Sequence, residues 1–198
     1  MNETILLTGF GPFGSHERNP SGEGADLLAD QVLDAEGFRL VTATLPVQLE
    51  AATALLQELI SEHAPSAIIA SGIHKDPAGC YQVELLAKNE LQYDEVPDID
   101  GNLIQDAQVE AEGPPQVVST LPLAKIKIAL ESAGFQTELS EDAGRHVCNA
   151  VFYWLARQEV PAGFLHVPPT SAPQEVARAL RVAAIVTAGR LVERRVEV

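Results

Sequence analysis

Three residues suited to covalent catalysis stand far apart in this chain: Cys148, His166 and Glu84. Cys148 lies in SEDAGRHVCNAVFYW, residues 140–154, after a short run with strand character (135–139) and before an apolar run at helical spacing. This pattern predicts a strand-to-helix turn with the thiol at or close to the helix N-terminus. There the helix dipole and unpaired backbone N–H groups favour thiolate over thiol. Arg145 and His146 add positive charge in an acidic chain, and a nucleophile needs that environment. The other role open to a free cysteine is that of a small buried hydrophobe.

His166 closes the strand-like GFLHV ahead of Pro168 and Pro169, which predicts a ring projecting at a sheet edge. Alone, such a histidine more often serves structure. Glu84 lies inside an apolar run, between Val83 and Leu85. Burying its carboxylate is costly unless something pairs with it, so it is a candidate for orienting a histidine. A half-buried strand with Glu84 facing solvent is the alternative. A cysteine, a histidine and an acid supply thiolate, proton shuttle and orienting carboxylate, the set that nucleophilic catalysis requires.

The elements that must position these residues follow from the pattern of the chain. Strands are expected at 3–10, 39–45, 66–70, 82–87 (where VELLA fits a helix equally well), 135–139 and 163–167. Helices are expected at 21–33 (Ser21 capping, with Leu27, Leu28, Val32 and Leu33 at helical spacing), 48–63, 121–133, 148–158 and 174–195. Alternation of this kind means an α/β fold: a three-layer α/β/α sandwich with a twisted, largely parallel, mixed sheet, and residues 1–198 forming one domain. Ligands in such folds sit beyond the carboxyl ends of the strands. GFGPFG, just after the first strand, lacks both GxGxxG spacing and a GKS/GKT ending. Its Phe10 and Phe13 suit either an apolar slot for a flat small group or core packing. Residues 89–115 are acidic and weakly periodic, with room for a short hairpin around 99–103. Asp94, Glu95, Asp98 and Asp100 and the scarcity of apolar anchors predict a mobile flap over the site.

Bulk composition bounds the function. A net charge of −15 over 198 residues argues against nucleic acid or an anionic membrane as partner. Hydrophobic content of 46% with 21% charged residues fits an ordinary globular protein, and no apolar run approaches membrane-spanning length. MNETILLTGF carries no secretory pattern, so a reducing compartment with Cys80 and Cys148 free is expected. No Cys/His cluster has zinc spacing, and His16, His63 and His74 read as surface residues.

Together these segments resemble the pyroglutamyl-peptidase (pyrrolidone-carboxylate peptidase) family of cysteine peptidases. ILLTGFGPFGSHERNPS is similar to the family's TGFxPFG…NPS signature, and VELLAKN (83–89) to its glutamate segment. DAGRHVCN (142–149) is similar to its cysteine segment, and GFLHVP (163–168) to its histidine segment. Order, spacing and length agree over essentially the whole chain. The resemblance implies a Cys148, His166, Glu84 triad that removes an N-terminal pyroglutamate (5-oxoproline) from peptides through a thioester. It implies a pocket at Phe10, Phe13, Val47, Ile73, Val96, His146 and Val147, with Phe10 and Phe13 sandwiching the lactam. It also implies a cofactor-free, metal-free cytoplasmic enzyme that acts as a homotetramer or dimer on pyroglutamyl peptides. Three departures stand out: IHKDPAG (73–79) replaces a Gly-Gly-Arg turn, Glu95 replaces an arginine, and Val47 and Val96 stand where related sequences can carry other pocket residues. A catalytically weak pyroglutamyl-binding homologue and a nucleoside-phosphorylase-like transferase are the rival readings. Product binding without turnover would mark the first, and phosphate-dependent turnover the second.

Overall fold

The computed structural model describes residues 3–33, 37–76, 79–93 and 95–196. Asp94, and Pro77 and Ala78 of the IHKDPAG turn, lie outside the described residues.

The central sheet contains seven strands. They are β1 (Glu3–Phe10), β2 (Val32–Leu33), β3 (Phe38–Leu45), β4 (Ala67–Ile73), β5 (Tyr81–Glu84), β10 (Thr137–Ser140) and β11 (Ala162–Val167), in the order β10-β5-β11-β4-β1-β3-β2. β11, β4, β1 and β3 run parallel, β5 is antiparallel to β11, and β2 is antiparallel to β3. Four shorter strands, β6 (Leu86–Lys88), β7 (Leu91–Tyr93), β8 (Ile104–Ala107) and β9 (Gln116–Val118), form two antiparallel pairs, β6 with β9 and β7 with β8.

Five helices cover the sheet among the described residues: α1 (Pro20–Asp26), α2 (Leu49–His63), α3 (Leu123–Ser132), α4 (Val147–Ala156) and α5 (Pro173–Val196). Ile5, Leu7, Ile69, Leu165 and Val167 pack with α1, α3 and α5. Leu6, Phe10, Ile68, Ala70 and Phe164 pack with α2 and α4 on the other face. Burial on both faces is why these strands read as continuous apolar runs. The α/β sandwich with a mixed, mostly parallel sheet is the expected class. No helix of the described residues is long and apolar enough to cross a membrane.

Three local expectations are corrected. Helix α1 ends at Asp26, and Val32–Leu33 pairs as an edge strand with Phe38 and Arg39. The true N-cap is Asn19, which accepts the Ser21 N–H at 3.1 Å, while Pro20 fills the first helical position. The run 82–87 is two strands in different sheets, because the chain leaves the central sheet after Glu84. Residues 89–115 are better anchored than their composition suggests. Leu91 and Tyr93 are buried. Asn89 holds Glu110 N–H at 2.9 Å and the Glu110 carbonyl at 2.8 Å. Asp98 turns inward and accepts from the Asp100 and Asn102 backbone N–H groups and the Asn102 amide.

Candidate active site

The signature loop after β1 works first as a clamp. Ser21 Oγ accepts from Phe10 N–H at 3.0 Å and donates to Asn19 Oδ1 at 2.7 Å, while Asn19 Nδ2 reaches the Gly11 carbonyl at 3.0 Å. A Cβ on Gly9 would lie 2.1 Å from the Ser21 carbonyl oxygen, so only glycine lets β1 approach α1 this closely. The NPS residues therefore fix the end of β1 where Phe10 begins the loop.

Cys148 is the second residue of α4 and His146 its N-cap. Gly144, at φ +75°, makes the turn that delivers the chain there from β10. The first-turn N–H groups of a helix have no intrahelical acceptor, so they and the helix dipole make this end of α4 electropositive. Asn149 anchors this end. Its Oδ1 accepts from Lys88 N–H at 2.9 Å, and its amide donates to the Lys88 and Glu90 carbonyls at 2.9 and 2.8 Å.

His166 near the end of β11 stands opposite Gly72 of β4 in the strand register. Alternation along β11 sends Leu165 and Val167 to the α5 side, so the His166 ring faces the α4 side with Cys148. Its Nδ1 lies 2.7 Å from Glu84 Oε1, and it also hydrogen-bonds Cys148. His166 is 4% exposed and Glu84 0%. Burial opposes charge on the imidazole, but hydrogen bonds and charge from Cys148 and Glu84 outweigh it and push His166 up to about 9. Cys148 and the Glu84 carboxylate, on either side of the ring, thus favour its protonated form.

The positive charge expected from Arg145 and His146 is corrected. Arg145 is committed to Glu90 and Asp142. Burial lowers the His146 pKa, and its Nε2–H donates to the Val96 carbonyl at 3.1 Å. The helix terminus and His166 remain as electropositive sources beside Cys148.

Of the expected pocket residues, Phe10, Val47 and Val147 lie buried in the core on the α2/α4 side. Phe13 is half-buried, with its ring 5.6 Å from that of His146, which also meets Tyr93 at 4.7 Å. Val96 is 38% exposed and joins this group through its backbone, and Ile99 N–H donates to the Val47 carbonyl at 3.1 Å. Ile73 is the exception. Alternation along β4 turns its side chain into the opposite core, away from Cys148. Glu95 is exposed, as is His16, whereas His63 and His74 are half-buried rather than on the surface. Among the described residues no three His, Cys, Asp or Glu side chains cluster as metal ligands would.

Sequence reasoning missed Gly72. A Cβ there would sit 2.7 Å from Cys148 Sγ and 3.1 Å from Phe164 Cζ, so the missing side chain makes room for the thiol. Gly72→Ala should lower kcat/KM about ten-fold or more, because a displaced sulfur loses its alignment with His166. The unfolding temperature should also drop, because the buried Phe164 ring must give along with the thiol. Unchanged turnover in this variant would show that the sulfur is not held against β4.

A thiol at a helix N-terminus, and an imidazole between that thiol and a buried carboxylate, are the attributes of a cysteine-type hydrolase on an α/β scaffold. The chain belongs to the pyroglutamyl peptidase family, whose model matches residues 3–188. It is 38% identical over 205 aligned positions to the pyrrolidone-carboxylate peptidase of Deinococcus radiodurans, covering 91% of this chain and 92% of that one. Identity to the pyrrolidone-carboxylate peptidase of Escherichia fergusonii is 34%, with 92% of each chain covered. Among solved structures, the pyrrolidone carboxyl peptidase of Thermus thermophilus superposes with TM-score 0.83 at 35% identity, covering 92% of this chain and 99% of that one. Pyroglutamyl peptidase I of Bacillus amyloliquefaciens gives TM-score 0.86 at 28% identity, covering 94% and 97%. The resemblance carried by the four motifs is borne out across the chain.

Proposed function

We propose that the protein hydrolyses the amide bond after an N-terminal pyroglutamyl residue, with Cys148 as nucleophile, His166 as acid and base, and Glu84 orienting the imidazole. One observation carries this reading: the buried 2.7 Å contact of Glu84 with His166, whose ring also engages Cys148. The Cys148 thiolate, its proton held on His166, attacks the pyroglutamyl carbonyl. Backbone N–H groups of the first turn of α4 stabilise the oxyanion. His166 then gives its proton to the leaving amine, and a thioester forms on Cys148. Water, deprotonated by His166, hydrolyses the thioester and releases pyroglutamate. An uncharged lactam suits walls such as Phe10, Val47 and Val147, which would exclude a charged amino terminus by its desolvation cost. Assembly as a dimer or tetramer, and action in the cytoplasm, belong to the same proposal on family likeness. Light scattering checks the first of these.

A fluorogenic pyroglutamyl amide tests the reaction. Turnover is expected without added phosphate or metal, and a thiol alkylator should abolish it. Binding of pyroglutamate with no turnover would contradict the proposal. The pH profile carries a further expectation. Loss of the His166 proton removes the acid that serves the leaving group, so kcat/KM should fall along an alkaline limb near 9. Glu84→Gln removes one of the groups raising that value and should move the limb to lower pH. The same proton is linked to stability. With the folded value at about 9 and the ordinary value at 6.5, this contribution is complete below 6.5 and lost as pH rises through 9. An alkaline limb that stays put in Glu84→Gln would argue against the carboxylate's role.

A further inference from the structure

We infer that His74 is a positioning residue, held as the neutral Nε2–H tautomer, whose ring ties Asp76 and Cys80 together between β4 and β5 and so aligns Gly72 and Glu84 on Cys148 and His166. This rests on the peptidase reading and adds a residue which that reading does not use.

The two ends of this loop carry parts of the site: Gly72 lies against the thiol at the end of β4, and Glu84 closes β5. His74 Nε2 is 3.0 Å from the Cys80 carbonyl oxygen. A carbonyl only accepts, so Nε2 carries the hydrogen. The Asp76 backbone N–H points at Nδ1 from 3.2 Å, and an N–H only donates, so Nδ1 presents its lone pair. Only one of the three protonation states of imidazole satisfies both contacts. Gly79 packs against the ring so closely that a Cβ there would lie 2.2 Å from Cε1. The loop is also tied to β11, because His74 N–H donates to the Val167 carbonyl at 3.2 Å, one residue after His166.

The charged and titratable groups facing His74 are Glu84 from β5, His166 from β11 and Asp76 of its own loop, with Lys75 next in the chain. Burial and the charge of His166 disfavour a second proton and prevail over the Cys80 carbonyl contact, Asp76 and Glu84, so the His74 pKa lies below 6.5. When that proton does arrive, it sets Nδ1–H against the Asp76 N–H, donor against donor, and the loop contact is lost. The folded state therefore favours neutral His74, and its contribution falls as pH drops below 6.5.

The test begins with wild-type turnover of a pyroglutamyl amide, whose absence would count against the peptidase reading and not against His74. Given turnover, His74→Ala should lower kcat about ten-fold and leave KM within about two-fold, because alignment rather than ground-state binding is disturbed. His74→Gln keeps a donor for the Cys80 carbonyl but cannot titrate, so the acid limb of its kcat profile should move to lower pH than in the wild type. Imidazole 15N NMR of the wild type should show His74 as the Nε2–H tautomer with a pKa below 6.5. This readout needs no activity, and it decides the matter if His74→Ala does not fold. An Nδ1–H tautomer, a higher pKa, or an unchanged kcat in His74→Ala would each overturn the inference.

Discussion

Cys148→Ser should lose pyroglutamyl-amide turnover by roughly four orders of magnitude or more while remaining folded. A serine hydroxyl is far harder to deprotonate than a thiol, so the helix terminus and His166 that suffice for sulfur do not suffice for oxygen. The substitution is nearly isosteric and touches none of the Asn149 contacts that anchor α4, so circular dichroism and the unfolding temperature should match the wild type. Cys80→Ser is the control. Burial raises the Cys80 pKa and Glu138 raises it further, which makes that thiol a poor nucleophile at neutral pH. It should keep most of its activity, and alkylation of the wild type should inactivate in step with modification of Cys148. Inactivation that tracks Cys80 would reverse the assignment.

His166→Ala should approach the loss seen for Cys148→Ser, Glu84→Gln should cost less, and the double variant should be little worse than His166→Ala alone. Groups that act as one unit are not additive. Stability separates the two partners in the opposite sense. Glu84 is fully buried, its Oε1 meets His166, and its Oε2 has no partner among the described residues. Removing the histidine strands a buried carboxylate, which costs about 3–5 kcal/mol. Glu84→Gln places a neutral amide there and should be tolerated far better. The double variant should therefore regain stability over His166→Ala while regaining no activity. Equal stability of His166→Ala and wild type would mean that Glu84 does not depend on the imidazole for its charge.

The sequence exposes those parts of the fold that local physics determines. Strands β1, β4 and β11 announce themselves because both faces are buried, and the apolar run at helical spacing after Cys148 marks α4. The features that stay hidden depend on partners distant in the chain. Glu84 could face solvent or core by its own pattern, and only His166, 82 residues away, settles which. Gly72 looks like an ordinary strand-end glycine until Cys148 is brought against it. Arg145 and His146 look like charge supplied to the thiol, yet Glu90 and Asp142 take the first, and burial lowers the pKa of the second. The end of α1 is hidden for another reason. Leu27, Leu28, Val32 and Leu33 fit a helical spacing, but Asp30 adopts φ +60° and the chain turns into an edge strand. The inward turn of Asp98 is similarly invisible in an acidic segment, because its acceptors are satisfied by Asp100 and Asn102 only once the loop has closed.

The most direct measurement of the central claim is mass spectrometry of the protein acid-quenched during turnover of a pyroglutamyl ester, followed by peptide mapping. Acylation by an ester outpaces hydrolysis of the thioester, so the covalent species should accumulate. A pyroglutamyl group on the peptide containing Cys148, removed by hydroxylamine and missing in Cys148→Ser, is the result expected. A group on Cys80, or steady turnover with Cys148 unmodified at every quench time and fully alkylated protein still active, would contradict the account.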